Sequence, residues 1–355
     1  MTTLRNEPPP QKLERDTSAF LYEVATKLCS AEVTSVSEAG AGANSRILKV
    51  ISKGKCYALK FYRDGAVERC DRLIAETSAL KFLEENQVAA VPRLISMDTE
   101  ENCALLEWVN GSTITSIGIN DIENACTFIE KLHELRKAKN AVQISPGVDQ
   151  CLSGADVVAQ LEARLERLKH SDDPGLRDFL ADRFVSLMAE VEDWSTKSFE
   201  TVGLSFSKKI ERSKQTLSPV DFGLHNAIRQ EDGSIVFIDF EYFGWADPTQ
   251  VVVDTLQHPG MSIAYDDRQM FLSRCNRFYA WNPDYGVRVK YLFPLFGLRW
   301  CTIMLNAFLP QYHRPGNQYP HGLNLIQFRK HQFEQVVKRV DEIQQTFRTF
   351  PYSQS

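Results

Sequence analysis

Apolar and polar positions alternate with two different periods along this chain, and the period changes near residue 110. Residues 17–30 (TSAFLYEVATKLCS) space their apolar side chains as a helix does, and three short alternating runs follow at 32–38, 46–52 and 56–62. A small-residue loop, AGAGANS (39–45), separates the first two runs, and Ser52-Lys53-Gly54-Lys55 turns the chain between the second and third. A long amphipathic helix is expected over 66–86, then strands near 93–98 and 102–107. This is a small antiparallel sheet carrying one helix. Beyond Trp108-Val109-Asn110-Gly111 the period becomes helical, at 120–138, 155–170, 174–195, 205–214, 248–257, 266–281, 288–308 and 323–347. A sheet-rich part followed by a helix-rich part predicts a bilobal α+β enzyme. The expected boundaries are a flexible tail over 1–16, an N-lobe over 17–110 and a helical C-lobe over 111–350.

One hairpin interrupts the helical half, in SPVDFGLHNAIRQEDGSIVFIDFEYFGWADP. Asp232-Gly233 is a two-residue hairpin signal between apolar, strand-like runs. Centring the turn there pairs Ile235 with Gln230, Val236 with Arg229, Phe237 with Ile228 and Ile238 with Ala227, and sets Asp239 opposite Asn226. Directly opposed residues hold their Cβ atoms roughly 4.5–5.5 Å apart. Two oxygen-bearing side chains would then meet at one point, with Asp221 in the loop just before. A hard cation such as Mg²⁺ takes oxygen ligands and shares them with substrate phosphates, so the constellation suggests metal-assisted phosphoryl transfer. The plainer reading is a surface hairpin with polar ends.

Composition narrows the class without naming a function. Of 355 residues, 43% are apolar and 25% charged, ordinary values for a globular protein with a sizeable core. A net charge of −5 argues against a nucleic-acid partner. The 8 cysteines are scattered, with no CxxC to suggest zinc or a redox pair, and read as small buried thiols of a reducing cytoplasm. The N-terminal segment has no apolar core of a signal peptide, and the most apolar stretch, Tyr291 to Leu309, contains Pro294, Arg299 and Asn306. It reads as a buried helix, so no membrane insertion is expected.

Two features of the sheet-rich half bear on phosphate chemistry. Lys60, in the strand YALKFY, shares a face with Ala58 and Tyr62, while Leu59 and Phe61 point the other way. Glu76 lies mid-helix among residues that should face the sheet, where an unpaired charge is costly, so Lys60–Glu76 is the economical pairing. It would hold the ammonium toward nucleotide phosphates. In AGAGANS, Gly40 and Gly42 permit close approach of backbone N–H groups to phosphate, and Asn44 or Ser45 can add a side-chain donor; a plain β-turn fits the same residues.

The order of Gly-rich loop, strand Lys, helix Glu, connector, D-x4-N and hairpin to DFE resembles the protein-kinase-like fold. In detail it is similar to the aminoglycoside phosphotransferase and choline kinase family, with a small antiparallel N-lobe and a mainly helical C-lobe. That family's catalytic loop reads roughly HGDxHxxN, followed by a hairpin and IDW or IDFE. Asp221, His225 and Asn226 keep its spacing, Phe237-Ile238-Asp239-Phe240-Glu241 keeps the strand end, and Gly244-Trp245-Ala246-Asp247-Pro248 resembles its G-W-x-D-P continuation. The resemblance spans about residues 30–305. It implies that Asp221 accepts the proton of a substrate hydroxyl, that Asn226 and Asp239 hold Mg²⁺, and that Lys60, positioned by Glu76, contacts the ATP phosphates. It implies that Glu107–Asn110, including Val109, meets adenine through its backbone. The chain departs from the pattern where Pro219-Val220 replace His-Gly and Val251 replaces a second Asp, with Asp254 nearby.

The expected function is thus ATP- and Mg²⁺-dependent transfer of the γ-phosphate to a hydroxyl of a small molecule: a sugar, amino sugar or amino alcohol. A nucleotide-binding pseudokinase is the alternative, supported by Pro219-Val220; a protein kinase lacks its HRD and APE segments here. Lys208, Lys209, Arg212 and Lys214 offer either a site for an anionic acceptor or a solvated helix face, and Tyr242, Phe243 and Trp245 either an acceptor wall or core. Arg299 is expected to pair with a buried acid. Nothing in the sequence sets the oligomeric state.

Overall fold

The computed structural model describes residues 17–41, 45–63, 72–310, 319 and 322–352. The chain divides into two compact units, Met1–Asn110 and Gly111–Ser355.

The first unit is built on a five-stranded antiparallel sheet of order β1-β2-β3-β5-β4. Its strands are β1 Val33–Ala41, β2 Ser45–Ser52, β3 Lys55–Tyr62, β4 Leu94–Asp98 and β5 Cys103–Glu107. Lys53 and Gly54 both take positive φ (49° and 72°), the geometry of a two-residue hairpin whose twist matches its strands. β1 runs further than the sequence pattern suggests, so the Gly-rich loop shrinks; Gly42 and Asn44 lie outside the described residues. The start expected for the following helix, 66–71, also lies outside them.

Strand alternation assigns the two faces of this sheet. Leu48, Val50, Leu59, Cys103 and Leu105 pack with Leu21, Val24, Ala25 and Leu28 of α1 (Ser18–Cys29), whose first turn is capped by Thr17 Oγ1 accepting from Phe20 N–H at 3.3 Å. The neighbouring positions Lys60 and Tyr62 therefore point to the opposite face, where α2 (Arg72–Glu85) presents Glu76.

The second unit is mainly helical. Its helices are α3 Ile119–Leu135, α4 Gly154–Leu168, α5 Pro174–Phe179, α6 Val185–Thr201, α7 Pro248–Gln257, α8 Tyr265–Tyr279, α9 Tyr285–Met304 and α10 Leu325–Thr346. A π-type turn, Leu180–Phe184, joins α5 to α6 where one uninterrupted helix was expected. α9 is apolar on nearly all sides and is packed by α4, α6, α7 and α10, as a buried helix must be. Among the described residues, no helix is long and apolar enough to cross a membrane.

Two expectations for this unit need correction. The stretch 205–214 is not a helix: its backbone is irregular, apart from a 3₁₀ turn at Arg212–Lys214. Tertiary partners claim its polar groups, with Gly154 N–H donating to Phe206 O and Ile210 N–H to Leu152 O, both at 2.9 Å. The hairpin is also accompanied by more sheet than the pattern suggests. β6 (Ser112–Thr113), β8 (Ala227–Arg229) and β9 (Ile235–Phe237) form one sheet, and β7 (Thr216–Ser218) pairs with β10 (Gly244–Ala246) in another. Gly244 is obligatory in β10, because a Cβ there would lie 2.4 Å from the backbone nitrogen of Gly147.

Candidate active site

The loop between β7 and β8 and the turn beyond β9 carry the candidate chemistry. The β8–β9 register differs by one residue from the expected one: Ala227 faces Phe237, Ile228 faces Val236 and Arg229 faces Ile235. The cause is the turn. Gly233 takes φ +86°, and Gln230 N–H donates to Ser234 O at 2.9 Å while Gly233 N–H returns to Gln230 O at 3.0 Å. This is a three-residue loop ending in a left-handed glycine, rather than a two-residue Asp-Gly turn. Ile238 N–H consequently donates to Asn226 O at 2.9 Å, and Asp239 follows one residue past that partner instead of standing opposite it. Asp239 itself takes φ +69°, so the chain leaves the strand at that residue.

Asp221 follows an unusual turn. Its N–H donates to Pro219 O at 2.9 Å across Val220, whose φ is +67°. This is a γ-turn of the strained, positive-φ kind, at a β-branched residue for which that backbone is an outlier. The family pattern has Gly at this position, the residue that reaches such a φ without strain. Val220 is held there by Ser218 Oγ, which accepts its N–H at 3.0 Å, and by its burial against Gly147. Pro219 and Val220 thus make a rigid support for the carboxylate that follows.

Asn226 returns to this loop. Its Nδ2 donates to Asp221 O at 3.0 Å and lies 3.5 Å from Asp221 Oδ2, which turns its Oδ1 to the other side. A hard cation accepts such a donor set: the amide oxygen of Asn226 and the carboxylate of Asp239 are both oxygen ligands.

Two histidines flank Asp221, whose side chain remains 38% exposed. His225 Nε2 and His258 Nε2 lie 3.4 Å and 3.6 Å from Asp221 Oδ1, and the two rings stack with centroids 3.8 Å apart and planes 5° from parallel. Burial works to raise the Asp221 carboxyl, but contact with His225, the electrostatic influence of His225 and His258, and the Asn226 amide outweigh it and hold the group below its ordinary value. Burial, then the nearby His225, pushes His258 down to about 3. It is therefore neutral near pH 7. The spacing D-x3-H pointed to His225, whereas His258 carried no signal, since it reaches the site from a loop after α7.

A buried polar layer supports this region. Asp254 of α7 accepts from Trp300 Nε1 at 2.8 Å and faces Arg299 at 3.3 Å, and Arg299 Nε donates to Gln160 Oε1 at 2.7 Å. Arg299 does pair with a buried acid. Asp247 caps α7 through Thr249 N–H at 2.7 Å and binds Arg288 Nε at 3.0 Å. Of the aromatic residues after DFE, Phe243 and Trp245 are buried, and Trp245 Nε1 donates to Ala141 O at 3.1 Å. Three residues of the basic run are held locally: Arg212 lies over the Trp245 ring at 3.5 Å, Lys209 lies 3.3 Å from Asp156, and Lys214 pairs with Asp284.

In the first unit, Lys60 Nζ lies 2.6 Å from Glu76 Oε2, and Tyr62 Oη donates to the same oxygen at 2.8 Å. Both charged side chains are buried. Ser45 is buried at the start of β2, opposite Tyr62 of β3. Glu107 pairs with Tyr57 in the sheet and holds Arg93 Nε at 3.1 Å, and Val109 is half-buried in the segment after β5. The structure thus joins Lys60 with Glu76, and Asp221 with Asn226.

Comparison with known proteins identifies the group. The profile described as "Phosphotransferase enzyme family" matches residues 35–286. The chain belongs to that family. No curated protein matches it in sequence. A spectinomycin phosphotransferase, APH(9)-Ia, solved with ADP and spectinomycin, is similar with a TM-score of 0.61 at 12% identity, over 96% of this chain and 100% of that one. The choline kinase LicA from Streptococcus pneumoniae gives 0.58 at 14% identity, over 91% and 98%. The phosphotransferase of a gentamicin–APH(2'')-IIa complex gives 0.56 at 15% identity, over 93% and 97%. The protein therefore has the bilobal α+β, protein-kinase-like fold of the aminoglycoside phosphotransferase and choline kinase family.

The two suppressed histidines set an acid limb of stability. His133 is pushed down to about 4 by burial and then by Arg136, and His258 to about 3. Below pH 6.5 the unfolded chain binds protons at both positions while the native chain does not, so stability falls with pH. Chemical denaturation from pH 7 to pH 4.5 should show a loss of a few kcal/mol, with up to about 1.4 kcal/mol per pH unit from each group. His133→Gln should shallow this slope.

Proposed function

We propose that this phosphotransferase moves the γ-phosphoryl group of ATP to a hydroxyl of a small molecule: a sugar, an amino sugar or an amino alcohol. The observation that carries the reading is Asp221, a partly exposed carboxylate fixed on a γ-turn, with the Asn226 amide tied to its backbone. An ionised carboxylate on rigid backbone suits a base that must orient an alcohol. The ADP bound in the spectinomycin phosphotransferase supports a nucleotide as donor.

In this reading Asp221 orients the acceptor hydroxyl, whose oxygen attacks the γ-phosphorus in line. The bond from that phosphorus to the bridging oxygen breaks, ADP leaves with that bond's electrons, and the hydroxyl proton passes to the Asp221 carboxylate. Asn226 Oδ1 and the Asp239 carboxylate would hold Mg²⁺, which supplies charge neutralisation to the phosphate oxygens. Lys60 would contact the α- and β-phosphates, and its buried contact with Glu76 fixes the position of the ammonium. Gly42, Asn44 and Ser45 would line the phosphate loop, and Glu107 and Val109 would offer backbone groups to adenine. Such a reaction runs on positioning and electrostatics, with no covalent intermediate on the protein.

The test is Mg·ATP turnover and product mass with a panel of sugars, amino sugars and amino alcohols. A product heavier than its acceptor by one phosphoryl group is expected. Nucleotide binding with no phosphorylated product from any alcohol would overturn the reading.

A further inference from the structure

The loop after α7 wraps the catalytic loop at three points. His258 stacks on His225, Met261 Sδ accepts Leu224 N–H at 3.0 Å, and His258 Nε2 faces Asp221 Oδ1 at 3.6 Å. The ring of His258 is held on its far side by Trp300, whose ring stands edge-on at 4.5 Å and whose Nε1 is anchored on Asp254. Its other nitrogen is committed: Gly260 N–H donates to His258 Nδ1 at 3.0 Å. A neutral imidazole that accepts at Nδ1 carries its proton on Nε2. That N–H is the one directed at Asp221.

We propose that His258 is the positioning residue of the catalytic carboxylate, a neutral Nε2–H donor that holds Asp221 Oδ1. This rests on Asp221 being the base. At 3.6 Å the contact is longer than a hydrogen bond, and it closes as the acceptor and nucleotide fill the site, as catalytic hydrogen bonds commonly do. The same three side chains, Asp221, His225 and His258, also lie close enough together to suggest a metal site. The geometry opposes it. With Nδ1 accepting from Gly260 N–H, the neutral ring of His258 carries its proton on Nε2, the atom that would have to ligate the ion.

The experiment has two arms on the full-length protein. The first reads histidine ¹⁵N resonances at pH 7 in the absence of nucleotide, assigned with His258→Phe. The Nε2–H neutral tautomer is expected for His258; an Nδ1–H tautomer, an imidazolium, or a perturbation of its nitrogens by added Zn²⁺ would overturn the proposal. The second measures turnover of Mg·ATP with an alcohol from the panel that the wild type phosphorylates. His258→Phe keeps the ring stack and should lower kcat by ~10–100-fold with the KM for ATP unchanged, the scale of a misplaced reacting group. His258→Gln returns an N–H near Nε2 and should recover most of the rate. Equal losses in both variants, with both folded by circular dichroism, would reduce His258 to packing, and an unchanged Phe variant would remove it altogether. If the wild type transfers to no alcohol, the functional reading fails, while the tautomer arm still decides the placement of His258.

Discussion

Asp221→Asn should lower phosphoryl transfer by ~10²–10⁴-fold, the range for losing a positioned general base. The substitution is nearly isosteric, so the γ-turn across Val220 and the bond from Asn226 Nδ2 to the Asp221 backbone carbonyl should persist. Mg·ATP affinity by calorimetry should change little, because the proposed metal ligands are Asn226 and Asp239. The loss should thus appear in kcat and not in nucleotide binding. Asn226→Ala should do the reverse in part, weakening the Mg²⁺ dependence along with the rate. If Asp221→Asn transfers to its acceptor at the native rate, Asp221 is not the base. A lowered Asp221 pKa also means that the group stays ionised through the neutral range, so the acid limb of kcat should begin below the ordinary carboxylate value. Were the limb to begin at pH 6 or above, another group would be titrating.

The fold was readable because its cues were local. Period-two runs named the five strands of the first sheet, and the turn Lys53-Gly54 carried its own backbone demand. Lys60 and Glu76 could be paired from burial alone, since neither charge tolerates the interior without the other. The hairpin register went wrong for an equally local reason. Asp-Gly fits a two-residue turn and the end of a three-residue loop alike, and one residue of difference moves every pairing. Asp239 was therefore assigned to a cross-strand pair, when its own positive φ sets its direction.

The support around Asp221 was not readable, because it is assembled from distant segments. His258 arrives from beyond α7, Gly147 from the segment before α4, and Trp300 from α9. No spacing rule links them. The basic run 205–214 failed similarly. Helix-compatible residues follow an irregular path because Trp245, Asp156, Asp284 and the backbone of Leu152 supply partners that a free helix would lack.

Glu76→Ala should destabilise the first unit by ~3–5 kcal/mol, the usual consequence of stripping one partner from a buried ion pair. The side chains of Lys60 and Glu76 are only 4% and 1% exposed, so removing the carboxylate takes a charge partner from an ammonium in the interior. Tyr62 Oη loses its acceptor at the same time. For a unit of this size the shift in Tm should exceed ~10 °C, and hydrogen exchange should show β3 and α2 amides losing protection before those of α9. Replacing both partners separates stability from function. Lys60→Met with Glu76→Leu removes both charges of the pair together, so it should recover most of the stability lost in the single variant. It should still fail to bind Mg·ATP tightly, because the proposed phosphate contact is gone. If Glu76→Ala unfolds with the wild-type profile, the pair does not brace this sheet. If the double variant binds nucleotide as the wild type does, the ammonium of Lys60 serves packing and not phosphate.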